Sequence, residues 1–330
     1  MPAEVRPPDG SPDAGVGPRA AQQSGRVHAR VGRVLLIGGL GVFAAAFVLL
    51  VATGNTRLEV SAEEHGAAPL WALTLPVAIG MVLVRLIPLR TPQDLASTVH
   101  AALRDRPLAE ETCALLGCLT VFVGTFLVAG RPGGPEDPVA LLYPLAKIVL
   151  FLLVPMAALR FLRPEVSRGS PRLGRIASRP GAAWRWGGIV AVATALYLGT
   201  FSPLAPPVPG IGDLPPLPVL LVAMVSTFLT ASVLEEIFFR VWLQTRLEVL
   251  FGHWAGIVLG ALAFGAMHVV THQALGHPVL NVAQVVAVQG VAGLLYGYLW
   301  TRYRNVWLLI MLHTGVNSLG LLPALLQSVQ

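Results

Sequence analysis

Charged side chains are scarce in this sequence. Asp, Glu, Lys and Arg make up 12% of the residues, about half of the share in an average soluble domain, whereas hydrophobic residues make up 55%. The mean hydropathy is +0.69. These values exclude an ordinary soluble domain, so lipid must be the solvent for most of the chain.

Cysteine and lysine are also nearly missing. Cys113 and Cys118 lie five positions apart on one apolar run and point to different faces, which indicates neither a disulfide framework nor a cysteine metal site. Lys147 is the only lysine, and the abundance of Arg, Ala, Gly and Pro is typical of a GC-rich bacterial genome. The net charge of +6 does not indicate nucleic acid, because the arginines stand beside apolar runs, where membrane lipid headgroups attract them.

Long apolar runs dominate what remains. They are continuous rather than alternating, and many approach the ~20 residues that a membrane-crossing helix needs. The sequence therefore predicts an all-α, polytopic transmembrane bundle of about nine spans. The predicted spans are 34–52, 70–87, 113–129, 140–161, 187–201, 217–239, 254–271, 279–300 and 306–326.

Composition divides the chain into three predicted parts. Residues 1–30 are rich in small, polar and basic residues and are expected to form a disordered cytoplasmic tail. Residues 31–200 hold the N-terminal transmembrane helices. Residues 201–330 begin with the Pro-rich stretch 203–218. They hold the spans in which ionisable residues cluster and are the predicted catalytic core. The sequence shows no internal repeat, so nothing in it indicates the inverted-repeat architecture of many transporters.

Arginine is concentrated in every second loop, which predicts the orientation. The basic loops carry Arg26 to Arg33, Arg90 to Arg106, Arg163 to Arg185, Arg240 to Arg246, and Arg302 with Arg304. Because cytoplasmic loops hold the excess of Arg, we expect an integral protein of a bacterial plasma membrane with a cytoplasmic N-terminus and an external C-terminus.

Ionisable residues cluster in the last four predicted spans, where each is costly and indicates function. Glu236 and Arg240 are four positions apart and share a helix face, so they are expected to form a structural ion pair. Glu235 points about 100° away and has no partner at that spacing. Glu235 is therefore left free for another partner, and its replacement by Gln is expected to be neutral for stability or stabilising.

Two further spans repeat a four-residue spacing of functional side chains. Phe264 and His268 share one face, as do His313 and Asn317. Comparable depths would let one cavity collect Glu235, His268, His313 and Asn317. The alternatives are packed histidines and an interhelical hydrogen bond for Asn317, while Phe264 is expected to pack.

Some similar-looking residues are not expected to belong to the site. The pair Glu110 and Glu111 has no arginine four residues later, and we expect it at the membrane interface. His272 and His277 are expected there too. No H-E-x-x-H motif occurs, which excludes the zinc proteases that carry it on one helix.

Three short motifs occur in a fixed order on the last four predicted spans. They are E-E-x-x-x-R at 235–240, F-x-x-x-H at 264–268 and H-x-x-x-N at 313–317. Together they resemble the CAAX-prenyl-endopeptidase and bacteriocin-processing family of intramembrane metalloproteases. The resemblance covers about 217–321. It implies peptide-bond hydrolysis in the membrane, with Glu235, His268 and His313 as the catalytic core and Asn317 assisting.

Such residues suit hydrolysis chemically. A carboxylate can take a proton from water, imidazoles can position that water or bind a metal, and an amide can donate to the developing oxyanion. Glu235, His268 and His313 would be the ligands if zinc or another divalent ion is used. Their spacing leaves metal-dependent and metal-free mechanisms open.

Other functions remain as alternatives at this point. The same buried Glu and His residues suit a transporter or channel that handles protons or cations. Haem between His268 and His313, or an inactive chaperone or immunity factor, explains fewer of the residues. Expected partners are membrane lipids and a membrane-embedded or lipid-anchored peptide substrate, such as a bacteriocin precursor or a signalling protein.

Overall fold

The computed structural model describes residues 18–59, 67–88, 90, 93–130, 138–163, 173–206, 215–272 and 275–322. The α-helices are α1 Pro18–Ala52, α2 Leu70–Leu86, α3 Gln93–Leu103, α4 Leu108–Ala129, α5 Pro138–Ile148, α6 Val154–Phe161, α7 Leu173–Ser178, α8 Ile189–Thr200, α9 Leu217–Thr227, α10 Thr245–Phe251, α11 His253–Met267, α12 Pro278–Val285, α13 Val291–Tyr303 and α14 Val306–Ser318. Four π-helical segments continue these helices: Val149–Leu153, Phe228–Val233, Glu236–Gln244 and Val286–Gly290. Short 3-10 turns are Ala183–Trp186, His268–Val270 and Leu319–Leu321.

A single short hairpin accompanies the helices in the described part of the chain. Strand β1, Arg57–Glu59, pairs antiparallel with β2, Ala67–Pro69, and Leu58 lies opposite Ala68. The prediction of an all-α transmembrane bundle is therefore confirmed, with this hairpin as a small addition at the end of α1.

Six of the described helices are long and apolar enough to cross a membrane. They are Ala29–Ala52, Leu108–Ala129, Leu141–Phe161, Leu217–Phe251, His253–Val270 and Pro278–Tyr303. Leu70–Leu86 and Val306–Leu321 are shorter apolar helices. The helix α8 has 12 residues, which extend ~18 Å at 1.5 Å per residue. A helix lies at each predicted position, while the count of nine spans and the orientation stay predictions.

The first helix begins earlier than its apolar run. It starts at Pro18, so residues 18–30 are helical although they were predicted to be part of a disordered tail. Ala20, Ala21, Gln22 and Gln23 favour helix, and the span that follows extends them without a break. Residues 1–17 of that predicted tail lie outside the described residues.

The protein is apolar outside and polar at points inside. Val128 and Phe161 are 90% and 88% exposed, as suits side chains that face lipid, whereas Glu236 and Arg240 are fully buried. Aromatic rings fill much of the interior, and Phe151 stacks on Phe238 with ring centroids 4.4 Å apart. The first half of the chain therefore packs directly on the helix that carries the two glutamates.

Glu111 is a buried bridge at the start of α4. It accepts hydrogen bonds of 2.7 Å from the Nε atoms of Arg106 and Arg246, and its side chain is fully buried. Arg106 precedes α4 and Arg246 lies in α10, while the expected position of Glu110 and Glu111 at the membrane interface stays a prediction. This bridge fixes α4 to the helix that follows the two glutamates.

Close backbone contact joins α10 and α11, and it requires glycine at position 256. A Cβ atom there would lie 2.7 Å from the backbone nitrogen of Glu248 and 2.8 Å from its Cα. We expect Gly256→Ala to lower the unfolding temperature strongly, because backbone atoms cannot move aside cheaply. Thermal unfolding in detergent would measure it. Gly117→Ala is the control, since a Cβ there meets nothing within 4 Å, and an equal effect of both changes would contradict the prediction.

Candidate active site

The adjacent glutamates lie where two π-helical segments nearly meet. Leu234 and Glu235 stand between Phe228–Val233 and Glu236–Gln244, and Glu236 begins the second segment. All of them belong to one continuous helix from Leu217 to Phe251. Such π segments occur often at functional sites because they change the direction of the side chains that follow. Both carboxylates point into the bundle, where Glu235 is 1% exposed and Glu236 fully buried.

Glu236 binds two other residues of the predicted set. Its Oε2 accepts from Nε of Arg240 at 3.3 Å, which confirms the ion pair expected from the four-residue spacing. Its Oε1 accepts from Nδ1 of His313 at 2.8 Å. Because a carboxylate only accepts, the His313 proton lies on Nδ1, and Nε2 is left as the acceptor of the neutral ring.

Glu235 lies on the other side of the same imidazole. Its Oε2 is 4.0 Å from Nε2 of His313. That oxygen is buried and has no hydrogen-bond partner among the described residues. One carboxylate therefore orients His313, and the other presents a free oxygen to the ring nitrogen that this orientation exposes.

Lys147 binds the remaining oxygen of Glu235. Its Nζ donates to Oε1 at 2.6 Å, and the lysine is 5% exposed. The ammonium also lies 4.5 Å from the centre of the Tyr143 ring. Lys147 was not predicted to be a site residue, although a lone lysine within an apolar span is itself a signal of function.

Arg240 and Phe264 form the wall beside these polar groups. The Arg240 guanidinium lies 4.9 Å from the ring centre of Phe264 and 5.5 Å from that of Tyr296. The Tyr296 ring centre is 5.4 Å from that of His313. Tyr296 belongs to the site region without having been predicted, because no spacing rule connects α13 with α14.

His268 stands at the turn that ends α11. Its Nδ1 donates to the backbone oxygen of Phe264 at 2.9 Å, so Nε2 is the acceptor of the neutral ring. The ring centre lies 4.7 Å from Phe264 and 5.9 Å from His272. Among the described residues it makes no hydrogen bond with Glu235 or His313, and Phe264 lies between the two imidazoles, 6.0 Å from His313.

His272 is a buried neighbour of His268. It is 7% exposed, and its Nε2 accepts from Nε2 of Gln289 at 3.0 Å. Helix α11 ends at Met267, and the short 3-10 turn His268–Val270 follows it. The contact with Gln289 was not predicted, while the expected position of His272 near the membrane interface stays a prediction.

Asn317 is half-buried on α14, one turn after His313. Within the described part of the chain, its side chain makes no hydrogen bond. The structure thus brings together Glu235, Glu236, Arg240, Phe264 and His313, and it leaves the side chains of His268 and Asn317 without polar contacts to that group.

The donors do not converge as a metal site. No group of three or more His, Cys, Asp or Glu side chains in the described ranges is arranged to hold a metal ion. His268 makes no hydrogen bond with Glu235 or His313 among the described residues, and the cation next to Glu235 is the Lys147 ammonium. In this arrangement Glu235, His268 and His313 do not fit a shared zinc or other divalent ion.

Comparison with known proteins agrees with the sequence motifs. Residues 217–319 match the family model described as Rce1-like, type II CAAX prenyl endopeptidase, which confirms the resemblance over α9 to α14. Searches of curated proteins and of solved structures gave no match. Lys147 and the aromatic residues of α4 to α6 lie outside the matched segment.

Proposed function

We propose that this chain, whose residues 217–319 match the type II CAAX prenyl endopeptidase family model, is an intramembrane endopeptidase in which Glu235 activates water. The observation that carries the proposal is the Glu236–His313–Glu235 arrangement. Glu236 fixes the His313 ring at 2.8 Å, and Nε2 of that ring lies 4.0 Å from the free oxygen of Glu235. Two acceptors at that separation can both bind one water molecule at ~2.8 Å.

The chemical step follows from these roles. Glu235 removes one proton from the water while Nε2 of His313 accepts a hydrogen bond from the remaining O–H, and the oxygen attacks the carbonyl carbon of the peptide. The resulting oxyanion receives a hydrogen bond from the Asn317 amide. Glu235 then returns the proton to the leaving nitrogen and the C–N bond breaks, which gives a carboxylic acid and an amine. The acid passes its proton to the amine, so the final products are a new carboxylate and a new ammonium group.

His268 and Lys147 have supporting roles in this mechanism. The Nε2 of His268 offers a second neutral acceptor for the N–H groups of the substrate backbone. Lys147 neutralises the buried charge of Glu235 and holds one of its oxygens, so that the other stays directed at His313. The proposed substrate is a membrane-embedded or lipid-anchored peptide whose scissile bond reaches the buried carboxylate.

The direct test is comparative proteomics of membranes from cells that contain the wild-type protein or its His313→Ala variant. Peptides with new termini should be present with wild type and absent with the variant, because His313 orients the attacking water. Met311→Ala, an exposed position on the same helix as His313, is the control for expression. Identical peptide sets for wild type and His313→Ala would contradict a protease role. Proton or cation flux in liposomes that is lost in His313→Ala would favour the transporter alternative.

A strong chelator should leave cleavage unchanged. The proposed step uses no metal, because the donors do not converge and Lys147 occupies the position next to Glu235. Cleavage of a reporter peptide would be measured after dialysis against chelator, with zinc added back as the control. Loss of activity that zinc restores would show that the helices rearrange to bind a metal and would contradict the metal-free step.

A further inference from the structure

A cavity lies at the end of the bundle where arginines are common. Its volume is about 700 Å³, within the ~300–1,000 Å³ range of small-molecule sites. It is enclosed by parts of α1, α2, α3, α10, α11 and α13, and it shares no lining residue with the candidate active site. Nothing in the proposed peptidase mechanism uses it.

Two arginines in this cavity have no ion-pair partner among the described side chains. Arg85, at the end of α2, is exposed and forms no ion pair with the described residues. Arg302, at the end of α13, donates one Nη to the backbone oxygen of Pro88, while its buried Nε has no partner in the described chain. The third lining arginine, Arg304, is neutralised by Glu248.

Part of the cavity's lining is apolar. Leu95 and Val99 of α3 line it together with Leu250, Phe251 and Trp254. Trp254 is 42% exposed, which suits a ring at the boundary between lipid and water. A small inorganic anion would use the arginines and leave this apolar part unused, whereas an amphiphile would use both.

We propose that this cavity, the basic cavity, binds the headgroup and first acyl carbons of an anionic glycerophospholipid. The lipid phosphate pairs with Arg85 and Arg302, and the acyl chains lie against α3 and Trp254. Basic pockets between transmembrane helices bind such headgroups because charge attraction and apolar contact act together. The cavity takes the lipid as a bound ligand, separately from any peptide substrate.

Native mass spectrometry of the purified full-length chain tests this inference. Phosphatidylglycerol would be titrated into wild type, Arg85→Gln, Arg302→Gln and the double variant. We expect Kd to rise about fivefold for each change and about 25-fold for both, from the usual attraction of one arginine for an anionic headgroup. Arg160→Gln is the matched control, because Arg160 is an exposed arginine at the end of α6 outside the cavity.

Two competitors separate the sources of the phosphate. Phosphatidylcholine should bind wild type at least about tenfold more weakly, and inorganic phosphate should not displace phosphatidylglycerol at equal concentration. Displacement by inorganic phosphate, or equal Kd values for Arg85→Gln and Arg160→Gln, would overturn the inference. Since Arg302→Gln also removes a contact with Pro88, the Arg85 comparison decides the case if that variant unfolds.

Discussion

Glu235→Gln is expected to lower peptide cleavage by about 10²–10⁴-fold, because an amide cannot take a proton from water. The same change should also lower the thermal stability, whereas the sequence alone predicted a neutral or stabilising effect. It leaves the ammonium of Lys147 buried without its partner at 2.6 Å, which typically costs about 3–5 kcal/mol. Cleavage of a reporter peptide and thermal unfolding in detergent would be measured on the same preparations.

A double variant separates the two effects of this residue. Glu235→Gln with Lys147→Met removes both charges, so stability should recover much of the loss while cleavage stays absent. Lys147→Arg is the control, since it keeps a cation for Glu235 and should keep partial activity. If Glu235→Gln alone is as stable as wild type, Lys147 is not its buried partner. If Glu235→Gln cleaves normally, another group is the base.

Glu236→Gln is expected to reduce both stability and activity, by different routes. It leaves the fully buried Arg240 without a counter-charge, at a typical cost of about 3–5 kcal/mol. It also weakens control of the His313 ring, because an amide can donate to Nδ1 as well as accept from it. The other ring nitrogen then carries the proton and no longer accepts a hydrogen bond from water, so we expect cleavage to fall by about 10²-fold or more.

Stability and ring orientation can be distinguished by adding a second change at Arg240. Glu236→Gln with Arg240→Met should regain thermal stability, because no unpaired charge remains, but should not regain cleavage. Arg240→Met alone keeps the hydrogen bond between Glu236 and His313, so its defect should be mainly in stability. Full activity in the double variant would show that Glu236 serves only as the partner of Arg240.

Local periodicity predicted the parts of this protein that depend on one helix. The helix positions follow from the apolar runs, and the Glu236–Arg240 pair follows from the four-residue spacing. Helix geometry also placed Glu235 on a different face from Glu236. The structure shows that this separation lets the two carboxylates reach opposite nitrogens of one imidazole.

Contacts between distant helices were beyond the reach of that reasoning. Lys147 is 88 positions from Glu235, and Glu111 is 135 positions from Arg246. No periodicity connects such pairs, and the buried position of His272 depends on a turn that brings it to Gln289. A lone ionisable residue in an apolar span was the available signal in the case of Lys147, and it indicated function without naming the partner.

The π segments beside Glu235 have a consequence for how sequences of this kind can change in length. A π turn corresponds to one extra residue in an α-helix, and one residue is about 100° of rotation. Deleting one residue within Phe228–Val233 would restore a regular helix and turn the stretch before it by that angle relative to the carboxylates. Glu235, Glu236 and His313 would keep their mutual arrangement, while a different side of α9 would face lipid. Single-residue gaps just before the paired glutamates are therefore compatible with an intact site, whereas a gap between Glu236 and Arg240 would shorten the spacing of the ion pair from four positions to three and rotate Arg240 by about 100° relative to Glu236.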